Sequence, residues 1–192
     1  MKKMRIVAAM LACALLVGIF YMLVPDAEEN TDFCVKIVHT NDIHARVEEN
    51  ESSGIIGLPK LKSIIDSYAE SADMDLVLDS GDMFHGQSIA TLVQGKSIAK
   101  LVKACGYDAM TAGNHDWNYG KDRLKELTAL ADIEMLAGNV VDKDGSMFFD
   151  TPYYCETVMK DGRELKVGIF GEIDPVIYSS TSPANVEGLT FN

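Results

Sequence analysis

The chain has 192 residues, 47% of them hydrophobic, which is enough for one domain with a sizeable core and argues against a disordered chain. Its formal charge is −12, from 17 Lys and Arg against 29 Asp and Glu. A surface so acidic repels a nucleic-acid backbone and excludes a nucleic-acid polymer as partner, whereas a small phosphate ester stays acceptable where cations supply local positive charge.

In chain order, the first segment reads as an address. Lys2, Lys3 and Arg5 precede an apolar run over residues 6–24 that carries no acid, followed by Pro25, Asp26, Glu28 and Glu29. A basic flank ahead of an apolar run predicts export, to the bacterial cell surface, the periplasm or the medium. The run is long for a signal peptide and just long enough to cross a bilayer, so a cleaved signal and a retained membrane anchor are both open. Residues 1–24 are assigned to this segment, 25–32 to an acidic linker, and 33–192 to one α/β domain.

Within that domain, apolar strands alternate with amphipathic helices. Residues 33–38 read as a buried strand. A helix is predicted over 58–68, where Leu58, Leu61, Ile64, Ile65 and Tyr68 fall on one face. Residues 75–79 form the next strand, 88–105 helical turns interrupted near Gly95, and 108–112 a third strand. A helix over 120–131 turns Leu124, Leu127 and Leu130 inward, and 133–137 is the fourth strand. Beyond Asn139 two β-prone runs, 153–159 and 165–170, are joined by Lys160-Asp161-Gly162-Arg163, a hairpin signal that predicts a mixed sheet. Residues 178–192 have loop composition. Cys34, Cys105 and Cys155 show no metal-binding spacing and are either buried thiols or one pair and a free thiol.

The polar residues are concentrated directly after the strands: Asn41-Asp42-Ile43-His44, Ser80-Gly81-Asp82, Gly113-Asn114-His115-Asp116 and Gly138-Asn139. Consecutive parallel strands end on one edge of their sheet, and loops leaving that edge converge in the crevice where open α/β sheets place ligands. Asp42 and His44, two apart in an irregular loop, can reach one ion. Asp82 suits a bridge between two ions, and Asn114 offers a neutral amide oxygen. Mixed imidazole, carboxylate and amide ligation fits two divalent cations, Mn, Zn, Fe, Mg or Co. Two such ions roughly 3.5–4 Å apart would clamp a phosphate and activate a hydroxide nucleophile. His115 is then left as acid for the leaving oxygen or as a partner of the transition state, and with Asn114 it would touch substrate. His39 and His85 read as structural or supporting groups.

The runs Val38-His39-Thr40-Asn41-Asp42-Ile43-His44, Asp79-Ser80-Gly81-Asp82 and Ala112-Gly113-Asn114-His115-Asp116 resemble the calcineurin-like metallophosphoesterases, in particular their bacterial 5′-nucleotidase and UDP-sugar hydrolase branch. Asn185-Val186-Glu187-Gly188-Leu189-Thr190-Phe191 is also similar to that branch. The resemblance implies a four-layer αββα sandwich, metal ligands at Asp42, His44, Asp82 and Asn114, a catalytic role for His115, and hydrolysis of phosphate esters of extracellular nucleotides.

Two departures bear on that expectation. The branch carries an Asp three positions after its catalytic His, where this chain has Asn118, as in the related 2′,3′-cyclic-nucleotide phosphodiesterase and 3′-nucleotidase group. A neutral amide stabilises a protonated imidazole less than a carboxylate does. The family also takes three further metal ligands, mostly His, from later clusters, and no His follows His115 here. The chain is thus expected to be the N-terminal part of an active enzyme, lacking the substrate-binding domain; the alternative is an inactive, metal-binding envelope protein.

Overall fold

The computed structural model describes residues 32–71 and 74–192, so the expected export segment and nearly all of the acidic linker lie outside the described residues. Among the described residues no helix is long and apolar enough to cross a membrane.

Val35–Asn192 form one compact unit. Its centre is a four-stranded, all-parallel sheet in the order β1 (Ile37–Thr40), β2 (Leu76–Asp79), β3 (Ala109–Met110), β4 (Glu134–Met135). Register places Thr40 beside Asp79 and Asp79 beside Met110, so all four polar clusters leave the same edge. The first strand lies further along than residues 33–38, because pairing with Leu76–Asp79 fixes its position and a continuous apolar run does not. The third and fourth strands are shorter than expected, yet Thr111 N–H still donates to Asp79 O (3.1 Å) and Leu136 N–H to Met110 O (2.8 Å).

Helices α1 (Leu58–Glu70), α2 (Ser88–Thr91), α3 (Lys96–Cys105) and α4 (Lys121–Ala131) follow the strands, with α2 and α3 separated at Gly95 as the sequence predicts. Their buried positions obey helical spacing: Leu58, Leu61 and Ile65 in α1, Ile98, Ala99 and Val102 in α3, Leu124 and Leu127 in α4. These meet Val77, Met110, Met135 and Ala137 from one sheet face in the main core, where each large side chain contributes roughly 1.5–3 kcal/mol by burial. Tyr68, expected on the inner face, is 46% exposed, three residues beyond Ile65, the last buried position of α1.

The hairpin forms as the turn chemistry demands, β5 (Val140–Asp142) preceding β6 (Tyr153–Lys160) and β7 (Arg163–Phe170), with Asp161 and Gly162 both left-handed at φ 52° and 73°. It does not join the parallel strands in a mixed sheet but makes a two-stranded sheet of its own. Face-on packing explains this. Alternate residues Tyr154, Glu156, Val158 and Lys160 are more covered than their neighbours, Lys160 Nζ lies 2.7 Å from Asp75 Oδ2, and Ile169, opposite Tyr154, lines a cavity of about 140 Å³ with Leu78 and Leu136. Residues 178–192 are also more structured than their composition suggests. They hold the end of α5 (Ile177–Ser180) and β8 (Leu189–Phe191), which pairs antiparallel with β5 and buries Phe191 against Trp117 at 5.5 Å. Two apolar anchors around one Thr are too few to register as a strand. Cys34, Cys105 and Cys155 are free thiols, of which only Cys105 is buried.

Candidate metal centre

The site is assembled by backbone before any side chain meets another. Asp42 N–H donates to Gly81 O (2.9 Å), His44 N–H to Asp82 O (2.8 Å) and Ala45 N–H to Met83 O (3.1 Å), so the loops after β1 and β2 are laced together. Asp42, His44, Ala45 and Asp82 are held in the left-handed region, at φ 53°, 49°, 57° and 59°. Such conformations cost on the order of 1–3 kcal/mol each and persist where surroundings over-determine them.

Asp116 is the principal tie. Its fully buried carboxylate accepts four backbone N–H groups: Asp82 (2.8 Å) and Gly113 (3.0 Å) on Oδ2, Met83 (2.9 Å) and Phe84 (2.8 Å) on Oδ1. Burial pushes its pKa up to about 6, while the four donors favour the ionised form. The loops are so close that a Cβ on Gly81 would stand 2.1 Å from Gly113 N, and one on Gly113 would stand 2.2 Å from Asp82 Oδ1. Only glycine fits at either place. Below them, Asp79 accepts Thr40 Oγ1–H (2.5 Å) and Gly81 N–H (2.8 Å), and burial raises its pKa to about 7 against those bonds.

On this frame the side chains of His44, Asp82 and His115 converge, each offering a ligand atom within 4.8 Å of the others. His44 Nε2 lies 3.7 Å from Asp82 Oδ2 and 3.5 Å from Asp42 Oδ1, and Asp82 Oδ1 accepts His115 N–H at 2.8 Å. Asp42 is 60% exposed at its side chain, Asp82 only 10%. Asn114 donates through Nδ2 to Ser180 O at 3.0 Å, which leaves Oδ1 as its free polar atom. No Lys or Arg pairs with Asp42 or Asp82 among the described residues. A buried carboxylate converging with imidazole nitrogens, and without a basic side chain to offset it, fits a divalent cation. His44, Asp82 and Asp42 are the residues that could hold it, with His115 beside them.

His39 lies away from this cluster, bonded to Ser80 Oγ at 2.8 Å. His85 lies beside it, as a supporting group: its ring stacks on His115 at 5.6 Å and 10°, and Asn118 Nδ2 lies 3.2 Å from its Nδ1 and 2.9 Å from Nδ1 of His115. Burial, followed by the neighbouring His115 and His44, pushes the His85 pKa down. The tie made by Asp116 was missed in the sequence; its one signal is its place in the Gly-Asn-His-Asp cluster.

Residues 35–175 match the profile of the calcineurin-like phosphoesterase family. The chain is 29% identical over 159 residues to a 5′-nucleotidase of Diplobatis ommata, an alignment spanning 79% of this chain and 28% of that relative. Among solved structures, a 5′-nucleotidase precursor from Thermus thermophilus superimposes with a TM-score of 0.66 at 27% identity, over 83% of this chain and 32% of that one. The calcineurin-like phosphoesterase YfkN from Bacillus subtilis gives 0.66 at 29% identity, over 82% and 53%. The chain thus spans under a third of the length of these two 5′-nucleotidases.

Proposed function

Because the chain belongs to the calcineurin-like phosphoesterase family, we propose that it carries the first metal-ligating loops of a hydrolase acting on phosphate esters of nucleotides outside the cytoplasm. The observation that carries this reading is the convergence of His44, Asp82 and His115 at the edge where the parallel strands end. Asp42, His44, Asp82 and Asn114 are the residues that would hold two divalent ions. Divalent cations, when bound, supply the charge neutralisation and Lewis acidity that phosphate-ester hydrolysis needs. The residues of the chain do the rest. Asp116 keeps the two ligand loops in register, Asp82 anchors the backbone of His115, and His115 holds a proton for the leaving oxygen.

The hairpin would belong to the second sheet of an αββα sandwich. The remaining ligands and the nucleoside-holding surface would come from a longer chain, a reading supported by the small share of its 5′-nucleotidase relatives that this chain spans. Export rests on residues 1–24. The 5′-nucleotidase reading is favoured by the relatives; Asn118 keeps 2′,3′-cyclic nucleotides as competing substrates, and the resemblance to the UDP-sugar hydrolase branch keeps UDP-sugars. A second reading is an envelope protein that binds metal at His44, Asp82 and His115 without turnover.

The test is phosphate release under Mn²⁺ from AMP, a 2′,3′-cyclic nucleotide and a UDP-sugar, by this chain and by whatever product the same frame encodes past the codon for Asn192. Release that Asp82→Asn abolishes supports the hydrolase, and the preferred compound identifies the substrate. Metal binding without release from either product supports the second reading, and release indifferent to Asp82→Asn contradicts both assignments.

A further inference from the structure

We infer that His85 is a positioning residue which, through Asn118, holds Nδ1 of His115 as a hydrogen-bond acceptor and so leaves the ring proton on Nε2. The placement rests on geometry alone; its meaning for catalysis rests on the phosphoesterase reading above. Asn118 Nδ2 lies 2.9 Å from Nδ1 of His115 and 3.2 Å from Nδ1 of His85. An amide nitrogen carries two N–H groups and accepts nothing, so both imidazoles present a lone pair at Nδ1 and carry their proton at Nε2. The opposite end of the amide takes a different partner, since Thr181 Oγ1 donates to Asn118 Oδ1 at 3.4 Å; separately, Asn185 Nδ2 donates to the backbone carbonyl of Asn118 at 3.2 Å.

The second imidazole gives this arrangement its polarity. An amide paired with one histidine can turn over, because the ring answers by moving its proton to Nδ1 and donating to Oδ1. With His85 on the same nitrogen, a flip requires both rings to change tautomer together. His85 is itself kept in place: it is stacked on His115, and its ring lies 5.2 Å from that of Tyr119. A carboxylate at position 118 would do the reverse, since it only accepts: it would draw the proton to Nδ1 and leave a lone pair at Nε2. The Asn118–His85 pair therefore gives His115 a resting Nε2–H donor, suited to meeting a developing negative charge on the leaving oxygen without prior protonation of the ring.

The test is two-bond ¹H–¹⁵N spectroscopy of the histidines in the whole chain, without metal, at about pH 8.5, about two units above the ordinary imidazole pKa. The expected result is Nε2–H for both His85 and His115. His85→Ala should move about half of His115 or more to the Nδ1–H form, whereas His85→Asn, which keeps an acceptor for Asn118, should hold the wild-type tautomer. Asn118→Asp, read in the same way, should give Nδ1–H at His115. Nδ1–H in the wild type, or no change in either His85→Ala or Asn118→Asp, overturns the inference. In a phosphate-releasing form, His85→Ala should lower kcat about tenfold with KM unchanged and His85→Asn should recover most of it; a KM effect alone would contradict the positioning role. The two readings fail separately: correct tautomers without phosphate release leave this inference standing and remove the hydrolase, and release with the wrong tautomers does the opposite.

Discussion

The loop edge of the parallel sheet and the β6–β7 hairpin are built on opposite terms. At the loop edge, four non-glycine residues sit in left-handed conformations and three carboxylates (Asp79, Asp82 and Asp116) are buried, all held by bonds between segments some 30 to 40 residues apart. The hairpin pairs eight residues with their near neighbours across a two-residue turn, and its outer face leaves Tyr153, Met159 and Phe170 61%, 60% and 74% exposed. The first region spends stability on placing groups where chemistry can use them; the second is local structure that would form with many sequences. Substitutions should accordingly be severe in one and mild in the other.

The largest effect is expected at Asp116. Asp116→Ala strands four buried N–H groups at once, so urea denaturation should show a loss of about 4 kcal/mol, together with weaker Mn²⁺ binding, although Asp116 touches no ligand position through its side chain except the backbone of Asp82. A loss under about 1 kcal/mol would break the contrast between the two regions.

Asp79 sharpens it through pH. Burial raises its folded pKa to about 7, above the ordinary carboxylate range, so the folded chain holds this proton more tightly than the unfolded chain. That contribution is present in full below about pH 4 and is lost as pH rises through about 7. Relative to Asp79→Asn, the metal-free wild type should therefore gain stability as pH falls from about 8 to about 5, measured by urea midpoints at each pH. A parallel pair of curves would show that Asp79 is already compensated by Thr40 and Gly81.

The smallest effects belong to the hairpin. Gly162→Ala meets no atom within 4 Å and strains only a left-handed turn, for about 1 kcal/mol. Phe170→Thr, on the open face, should stay within about 0.5 kcal/mol in the same denaturation assay.

What the sequence disclosed follows the same division. Asp42, His44, Asp82 and His115 could be picked out because each follows a strand directly, and parallel order alone brings strand ends together. The turn at Asp161-Gly162 and the break at Gly95 were legible from local chemistry. The left-handed backbone at Asp42, His44 and Asp82 was not, since it is imposed by bonds to partners far along the chain. Asp116 looked like one more polar residue in a cluster, because nothing in a linear pattern says that residues 82–84 need an acceptor. The sequence leaves His85 between a structural and a supporting role for a similar reason: its place beside the site depends on Asn118, 33 residues later. Strand β8 escaped because pairing with Val140–Asp142, and not its own composition, makes it a strand.

The central claim is that these loops form a divalent metal centre, and calorimetric titration of the metal-free chain with Mn²⁺ tests it most directly. The account predicts measurable, weak binding that Asp82→Asn and His44→Ala each abolish while circular dichroism shows the fold retained. Binding of equal strength in wild type and Asp82→Asn, or no binding by a folded wild type, would contradict it.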